Sequence, residues 1–494
     1  MCKNTNKAYE DAIEYLKTSP MFNLSLSSKE LFHSNFLYWI WKLDPNTFKS
    51  LIARLLNISP DDLKWGDKWE VVREYNSFDL CVIKYCDEDS NNDEDTGARK
   101  IDDGDVLLVI ENKVKSIPYK AQLKKYVDKV NELYGKRRKE DADKVQYILL
   151  TLPTHFPDAP KEISSEDCNW EFGDYKWKIV TYNKYIEILK ELKISSSDDL
   201  DEQTKVYPSK IIEDYIKFVE HLLVIYKEWT DECYTKLGFI YYDEQKQQCS
   251  EYKDYITVAQ ALRIHDLYHK SKYARICAEI ISTFSDVNID DYEVGINLTE
   301  KEVCKYLEKK GNENKGYIVW EYNYTHGEPL VGVKIARRDK DDNLITYIIQ
   351  VQSGVYEHGV IADHTKLKGE YKGTKDEKLW AYIYKNSNKN VFSVGNYPWM
   401  RYEEWDNDAT KDSHPLSSHP EDVHNSGIFD TSALYPQFKI RKDTLPYAKY
   451  ASDNSNIAMI YQFRKLKFDV ETTDLIEYII TDVKSLLKGL NNQQ

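Results

Sequence analysis

The chain reads as an N-terminal α/β unit, a mixed sheet flanked by helices, followed by a C-terminal α+β unit built on an antiparallel meander. Three observations predict this. Through the first half, short runs rich in Val, Ile and Leu alternate with helical patterns, as βα units require. Near Thr230–Asp254 the chain turns polar, with mixed charge and little periodicity, which suits a linker. Beyond it, strand-like segments follow one another with Gly, Pro and Asp-Asp-Asn turns between them. The domains expected are therefore 1–235 and 250–494.

In order along the first half, apolar residues at helical spacing predict helices over Lys7–Lys17, Lys29–Trp41 and Pro45–Leu56. Strands follow at Trp69–Glu74, Asp79–Tyr85 and Asp105–Asn112. Asp87 to Asp105 is rich in Asp, Glu, Asn and Gly and has no apolar period, so it reads as a solvated insertion between two strands. Pro118 suits a first helical turn, and Leu123, Tyr126, Val127, Val130, Leu133 and Tyr134 mark the buried face of the helix that follows. Gly135 is its stop signal. Strands at Val145–Leu152 and Trp177–Thr181 and helices at Asn183–Leu192 and Pro208–Trp229 complete the unit.

The second half opens with a helix over Ile256–Phe284, and Thr299-x-x-Glu302 has the form of a capping box. The meander strands are Gly316–Tyr324, Leu330–Ala336 and Leu344–Val351. Tyr402–Gly427 reads as a long loop. Leu475, Ile476, Ile479, Ile480, Val483, Leu486, Leu487 and Leu490 form the apolar face of a closing amphipathic helix.

The residues richest in chemistry lie at strand ends. Asp79 opens the apolar run Leu80-Cys81-Val82-Ile83, and Glu111-x-Lys113 ends Val106-Leu107-Leu108-Val109-Ile110. Residues two apart in a strand face the same way, so Glu111 and Lys113 project together, and Asp79 joins them if the strands pair. Two carboxylates are hard oxygen ligands suited to Mg²⁺ or Mn²⁺. Such an ion polarises a phosphate and activates water, and a lysine beside it adds positive charge at the scissile group. That combination is a device for cleaving phosphodiesters. Alone it is a weak signal, because acid and lysine pairs decorate many strand ends.

The residues around it sharpen the reading. Asp79…Glu111-x-Lys113 resembles the PD-(D/E)xK nuclease superfamily, and Gln122-Leu123-Lys124-Lys125-Tyr126 resembles the Q-x-x-x-Y helix of its RecB-like branch. Glu30-Leu31-Phe32-His33-Ser34-Asn35-Phe36-Leu37-Tyr38-Trp39 is similar to the opening helix of a bacterial subgroup of these enzymes. The resemblance covers the N-terminal half alone. It implies a restriction-endonuclease-like core, with metal held by Asp79, Glu111 and the Asn112 backbone carbonyl. Lys113 would position or activate the attacking water, and Gln122 and Tyr126 would shape the site. Glu30 has two readings. It is the acid of a capping box with Ser27, or a further metal ligand as in the resembling subgroup. For His33, packing is the favoured reading.

Charge bears on the partner. The formal net charge is −15, so nucleic acid is repelled on average and binding needs a local basic surface. The stretch Lys115–Lys144 holds ten Lys and Arg against five Asp and Glu, which nominates Lys115, Lys120, Lys124, Lys125, Arg137 and Arg138 as phosphate contacts. A merely solvated charged helix is the competing explanation. DNA is the substrate the resemblance implies, with RNA left open. The expected context is a bacterial anti-phage nuclease or toxin whose C-terminal domain is a sensor, regulatory or assembly module engaging a second copy or a partner protein. The competing class is a non-catalytic nuclease-fold binding or scaffold subunit.

Other motifs exclude more than they suggest. No run of about 18 apolar residues is present, so no membrane span is expected. The eight cysteines form no C-x-x-C pair, and Met1-Cys2-Lys3-Asn4-Thr5 lacks an apolar signal core, so a reducing cytoplasm is the expected compartment. There is no Walker pattern. His265 with His269, and His414, His419 and His424, are weak candidates for metal without a supporting acid signature.

Overall fold

The computed structural model describes residues 7–28, 30–84, 105–114, 120–135, 139–152, 168–172, 175–192, 202–232, 253–284, 291–296, 298, 300–309, 315–325, 328–338, 343–352, 355–363, 414–415, 437–439, 457–466 and 470–491. Two compact units emerge. One comprises Met1–Thr230 with Thr257–Ser271, the other Asp231–Ile256 with Lys272–Gln494.

The first unit is mixed α/β. Its helices and strands in order are α1 (Lys7–Thr18), α2 (Pro20–Ser28), α3 (Glu30–Leu43), α4 (Pro45–Leu56), β1 (Trp69–Arg73), β2 (Leu80–Lys84), β3 (Asp105–Lys113), α5 (Lys120–Tyr134), α6 (Lys139–Ala142), β4 (Gln146–Thr151), β5 (Cys168–Phe172), β6 (Tyr175–Thr181), α7 (Tyr182–Lys190) and α8 (Glu202–Lys227). The strands form one sheet in the order β1-β2-β3-β4-β6-β5. β1, β2 and β3 pair antiparallel, β3, β4 and β6 pair parallel, and β5 returns antiparallel at the edge. The central strands β2, β3 and β4 are apolar on both faces and almost wholly buried, as a sheet covered on both sides requires.

Local chemistry explains the helix boundaries. Asp44 caps α4, its carboxylate accepting from the Asn46 and Thr47 N–H groups at 3.0 and 3.2 Å, with Pro45 in the first turn. Thr181 caps α7 directly off β6. Gly135, at φ +64°, ends α5 and donates its N–H to the Asn131 carbonyl at 2.9 Å.

Several elements differ from the sequence reading. Ser27 lies inside α2 and α3 begins at Glu30, so Ser27 is not the N-cap of that helix. α2 and the edge strand β5 were not anticipated. Pro208 sits inside α8 rather than at its start, because the helix begins upstream at Glu202 and accepts the loss of one backbone donor. The helix runs on through a π turn, Glu228–Glu232, in place of an immediate linker. The helix expected over Ile256–Phe284 is broken. α9 (Lys253–Ala261) and α10 (His265–Phe284) are separated at Arg263, whose φ is 53°. Leu133, placed on the buried face of α5, is 45% exposed. Pro118, the Asp87 insertion up to residue 104, and Thr299 lie outside the described residues.

The second unit carries an eight-stranded sheet, ordered β12-β13-β14-β11-β10-β9-β8-β7. The three expected strands are β8 (Gly316–Thr325), β9 (Glu328–Arg338) and β10 (Leu344–Gln352). β11 (Val355–Asp363) and β14 (Ile457–Lys465) extend the antiparallel run, while β7 (Tyr292–Ile296) joins β8 in parallel. Of the stretch expected as a loop, His414–Pro415 is β12, paired to β13 (Gln437–Lys439); its other residues lie outside the described set. α11 (Glu300–Leu307) packs Val303 and Leu307 on Tyr317, Val319 and Ala336. The C-terminal helix, Thr472–Asn491, buries the whole predicted apolar face from Leu475 to Leu490. Its Asp482 accepts a buried hydrogen bond from the Tyr356 hydroxyl at 2.8 Å.

Candidate active site

The site forms where β2 starts and β3 ends. Leu80 pairs with Ile110, which sets the preceding Asp79 beside Glu111 in register. The Asn112 N–H donates to Asp79 Oδ2 at 2.8 Å and ties the first carboxylate to the second strand. The turn that delivers Asp79 is strained. Glu74, Asn76 and Ser77 all have left-handed backbone, at φ 53°, 51° and 70°. For residues other than glycine, each such conformation costs roughly 1–2 kcal/mol. Strain of this kind persists where surrounding structure holds it, here by the Glu74 N–H to Asp79 carbonyl bond at 3.2 Å.

β3 divides its last residues between the two faces of the sheet. On one face, Glu111 meets α5. Its Oε1 accepts from Lys113 Nζ at 2.5 Å and from the Tyr126 hydroxyl at 2.9 Å, with Gln122 Nε2 at 3.5 Å. Gln122 also donates to the Tyr126 hydroxyl at 3.1 Å. The Tyr126 ring is braced between Phe78 and Trp177. On the other face, Asn112 Nδ2 donates to Ser34 Oγ of α3 at 2.6 Å, and the Tyr182 hydroxyl of α7 donates to Asn112 Oδ1 at 3.3 Å. The alternation of the strand thus places Glu111 and Lys113 on one side and Asn112 with its anchors on the other.

Glu111 is 1% exposed, yet only one of its oxygens is satisfied. Oε2 is buried with no hydrogen-bond partner. Burial drives its carboxyl up to about 7, against the opposing pull of Lys113 and with a further upward push from Asp79. Burial and the Glu111 charge raise the Tyr126 phenol, so it stays protonated and donates. An orphaned carboxylate oxygen beside a second carboxylate is the donor set a hard divalent cation completes, so these residues fit such an ion. Among the described residues no group of three or more His, Cys, Asp and Glu side chains converges.

The other nominated residues separate. Glu30 opens α3, but its side chain lies outside the described set, as do Lys115, Arg137, Arg138 and the side chains of His265 and His269. Lys120, Lys124 and Lys125 are exposed on α5, and Lys124 is paired with Asp128 at 2.7 Å. His33 is 3% exposed, with Nδ1 2.8 Å from the Tyr215 hydroxyl and its ring among Phe32, Tyr182, Tyr215 and Phe218, so it is a packing residue. The sequence reading assigned no role to Ser34 or Tyr182. Their position on α3 and just after β6 was the available signal, but the contacts themselves span 78 and 70 residues.

The sequence model of the PD-(D/E)XK nuclease superfamily matches residues 21–209, within the N-terminal half of the chain, and that segment is similar to the superfamily. The mixed six-stranded sheet between helices is consistent with its fold. No curated protein and no solved structure matches the chain. No helix among the described residues is long and apolar enough to cross a membrane.

Proposed function

We propose that the N-terminal domain is a divalent-metal-dependent nuclease that hydrolyses phosphodiester bonds of DNA, with Asp79, Glu111 and Lys113 as its reacting centre. The observation that carries this reading is the buried, unpartnered Glu111 Oε2 beside Asp79, with Lys113 against the other oxygen. Mg²⁺ or Mn²⁺ would be held by Asp79, Glu111 and the Asn112 carbonyl. When bound, the ion supplies positive charge to a phosphate oxygen and activates the attacking water.

The remaining work belongs to side chains of this chain. Tyr126 and Gln122 hold Glu111 Oε1, which leaves Oε2 as the oxygen available for the ion. Lys113 keeps a cation in a site that otherwise concentrates negative charge, and it stands ready to orient water or offset charge on the phosphate under attack. Asn112, pinned by Ser34 and Tyr182, fixes the peptide whose N–H holds Asp79. A binding or scaffold protein has no need for a buried carboxylate oxygen without a partner, since an unsatisfied buried polar group costs roughly 1–3 kcal/mol.

The resemblance to bacterial enzymes supports a defence or toxin role in a bacterial cytoplasm, with the 250–494 domain as sensor or assembly module. Digestion of supercoiled, linear and single-stranded DNA and of RNA, in Mg²⁺, Mn²⁺, Ca²⁺ or EDTA, tests the reading. Cleavage of DNA in Mg²⁺ or Mn²⁺, weak in Ca²⁺ because its looser coordination positions groups less well, is expected. Undiminished cleavage in excess EDTA would refute it.

A further inference from the structure

Several cations at the surface of the N-terminal unit are paired with carboxylates. Lys17 pairs with Glu14, Arg54 with Glu191, Lys124 with Asp128, Lys144 with Asp141, Lys184 with Glu187 and Lys190 with Glu220. In a chain of net charge −15 that pattern is expected. Arg73 and Lys42 are held in another way. Both are exposed, and neither has a carboxylate partner among the described residues.

Their partners are aromatic instead. The Arg73 guanidinium lies 4.4 Å from the centre of the Tyr38 ring, and Arg73 Nη1 donates to Asn35 Oδ1. Lys42 Nζ lies 4.4 Å from the Trp41 ring and 5.5 Å from the same Tyr38 ring. Tyr38 and Trp41 pack against each other with centroids 5.3 Å apart. Cation–π contact holds both charges in place without neutralising them. An arginine has five N–H donors and Arg73 commits one, so a donor-rich planar fork remains for an incoming anion.

The position of this row matters. Arg73 pairs with Leu80, so it sits at the base of the hairpin that presents Asp79. Asn35, which orients Arg73, follows Ser34, which anchors Asn112. By register Arg73, Leu80 and Ile110 share the face of Asn112 and α3, so the row lies at the end of the sheet where the carboxylates converge, on the side opposite Glu111 and Lys113, and runs along α3.

We propose that Arg73 and Lys42, held on Tyr38 and Trp41, grip the sugar–phosphate backbone of a nucleic-acid strand that crosses the end of the sheet carrying Asp79, Glu111 and Lys113. This rests on the nuclease reading and names the surface by which its substrate is held. Phosphate contacts of this kind set affinity and register without reading bases.

The test is fluorescence anisotropy of labelled single-stranded and duplex DNA in Ca²⁺ over a salt series, alongside cleavage in Mn²⁺. Parent binding should weaken with salt. The double variant Arg73→Gln/Lys42→Gln should lose about tenfold or more in affinity at low salt. Its slope of log affinity against log salt should fall by about 1.4 for single strands and 1.8 for duplex, at roughly 0.7 and 0.9 per phosphate contact. Arg54→Gln, which removes a neutralised cation, should leave both unchanged. Arg73→Lys keeps the charge and should keep the slope; a loss there as large as in a glutamine variant would overturn the electrostatic role. A parent that cuts and binds, with an unchanged slope in the double variant, overturns the row alone. A parent that neither cuts nor binds overturns the nuclease reading and the row with it.

Discussion

At the residue scale, Glu111 carries a conflict that folding leaves unresolved. One oxygen has a surplus of donors and the other has none. Asn112 is the reverse case, a fully engaged buried side chain that serves its neighbours. Asn112→Ala removes partners from Ser34 Oγ and the Tyr182 hydroxyl. Urea unfolding should show a loss of about 1–3 kcal/mol, the usual cost of stranding buried polar groups. Cleavage should fall as well, because the peptide that holds Asp79 loses its anchor; full activity at reduced stability would separate Asn112 from the site. Asp79, Glu111 and Lys113 were legible because strand ends and two-residue spacing are local patterns. The Ser34 and Tyr182 contacts, and the stacking of Arg73 on Tyr38, were not, since each depends on segments that meet only through tertiary packing.

At the scale of elements, legibility followed the continuity of apolar pattern. β3, β4, β8 and β10 are apolar runs and stand close to where the sequence put them. β11 escaped notice because Glu357, His358 and Gly359 interrupt it, and only its pairing with β10 and β14 makes it a strand. α2 escaped because Asn23, Ser25, Ser27 and Ser28 are poor helix formers that compete for backbone bonds. Stop signals were more transparent. At Gly135 an added Cβ would meet nothing within 4 Å, so the need for glycine is purely the left-handed backbone, φ +64°. Gly135→Ala should therefore cost about 1 kcal/mol in denaturant unfolding while leaving packing unchanged. No change in stability would show that α5 ends by some other means. Since α5 carries Gln122 and Tyr126, its termination bears on how Glu111 is held.

For the whole molecule, the change in pattern between the halves led to expected domains of 1–235 and 250–494, and the assignment of Thr257–Ser271 to the first unit has no local signal in the sequence. That segment buries Ala259, Leu262, Ile264 and Leu267, apolar positions whose partners cannot be read from local spacing. The superfamily match covers residues 21–209, so the chemistry proposed here belongs to the first unit, and the second unit is assigned no reaction.

The central claim is that Glu111 is a metal-holding carboxylate of a nuclease, and the most direct test compares parent and Glu111→Gln for cleavage of DNA across a Mn²⁺ titration, with circular dichroism as the control for folding. The substitution keeps volume and hydrogen bonding near Tyr126 while removing the charge on Oε2. The account predicts cleavage by the parent that rises with Mn²⁺ and vanishes in EDTA, and a folded variant slower by roughly a hundredfold or more, the scale lost when an electrostatic centre is removed from an active site. A folded Glu111→Gln protein that cleaves at the parent's rate would contradict it.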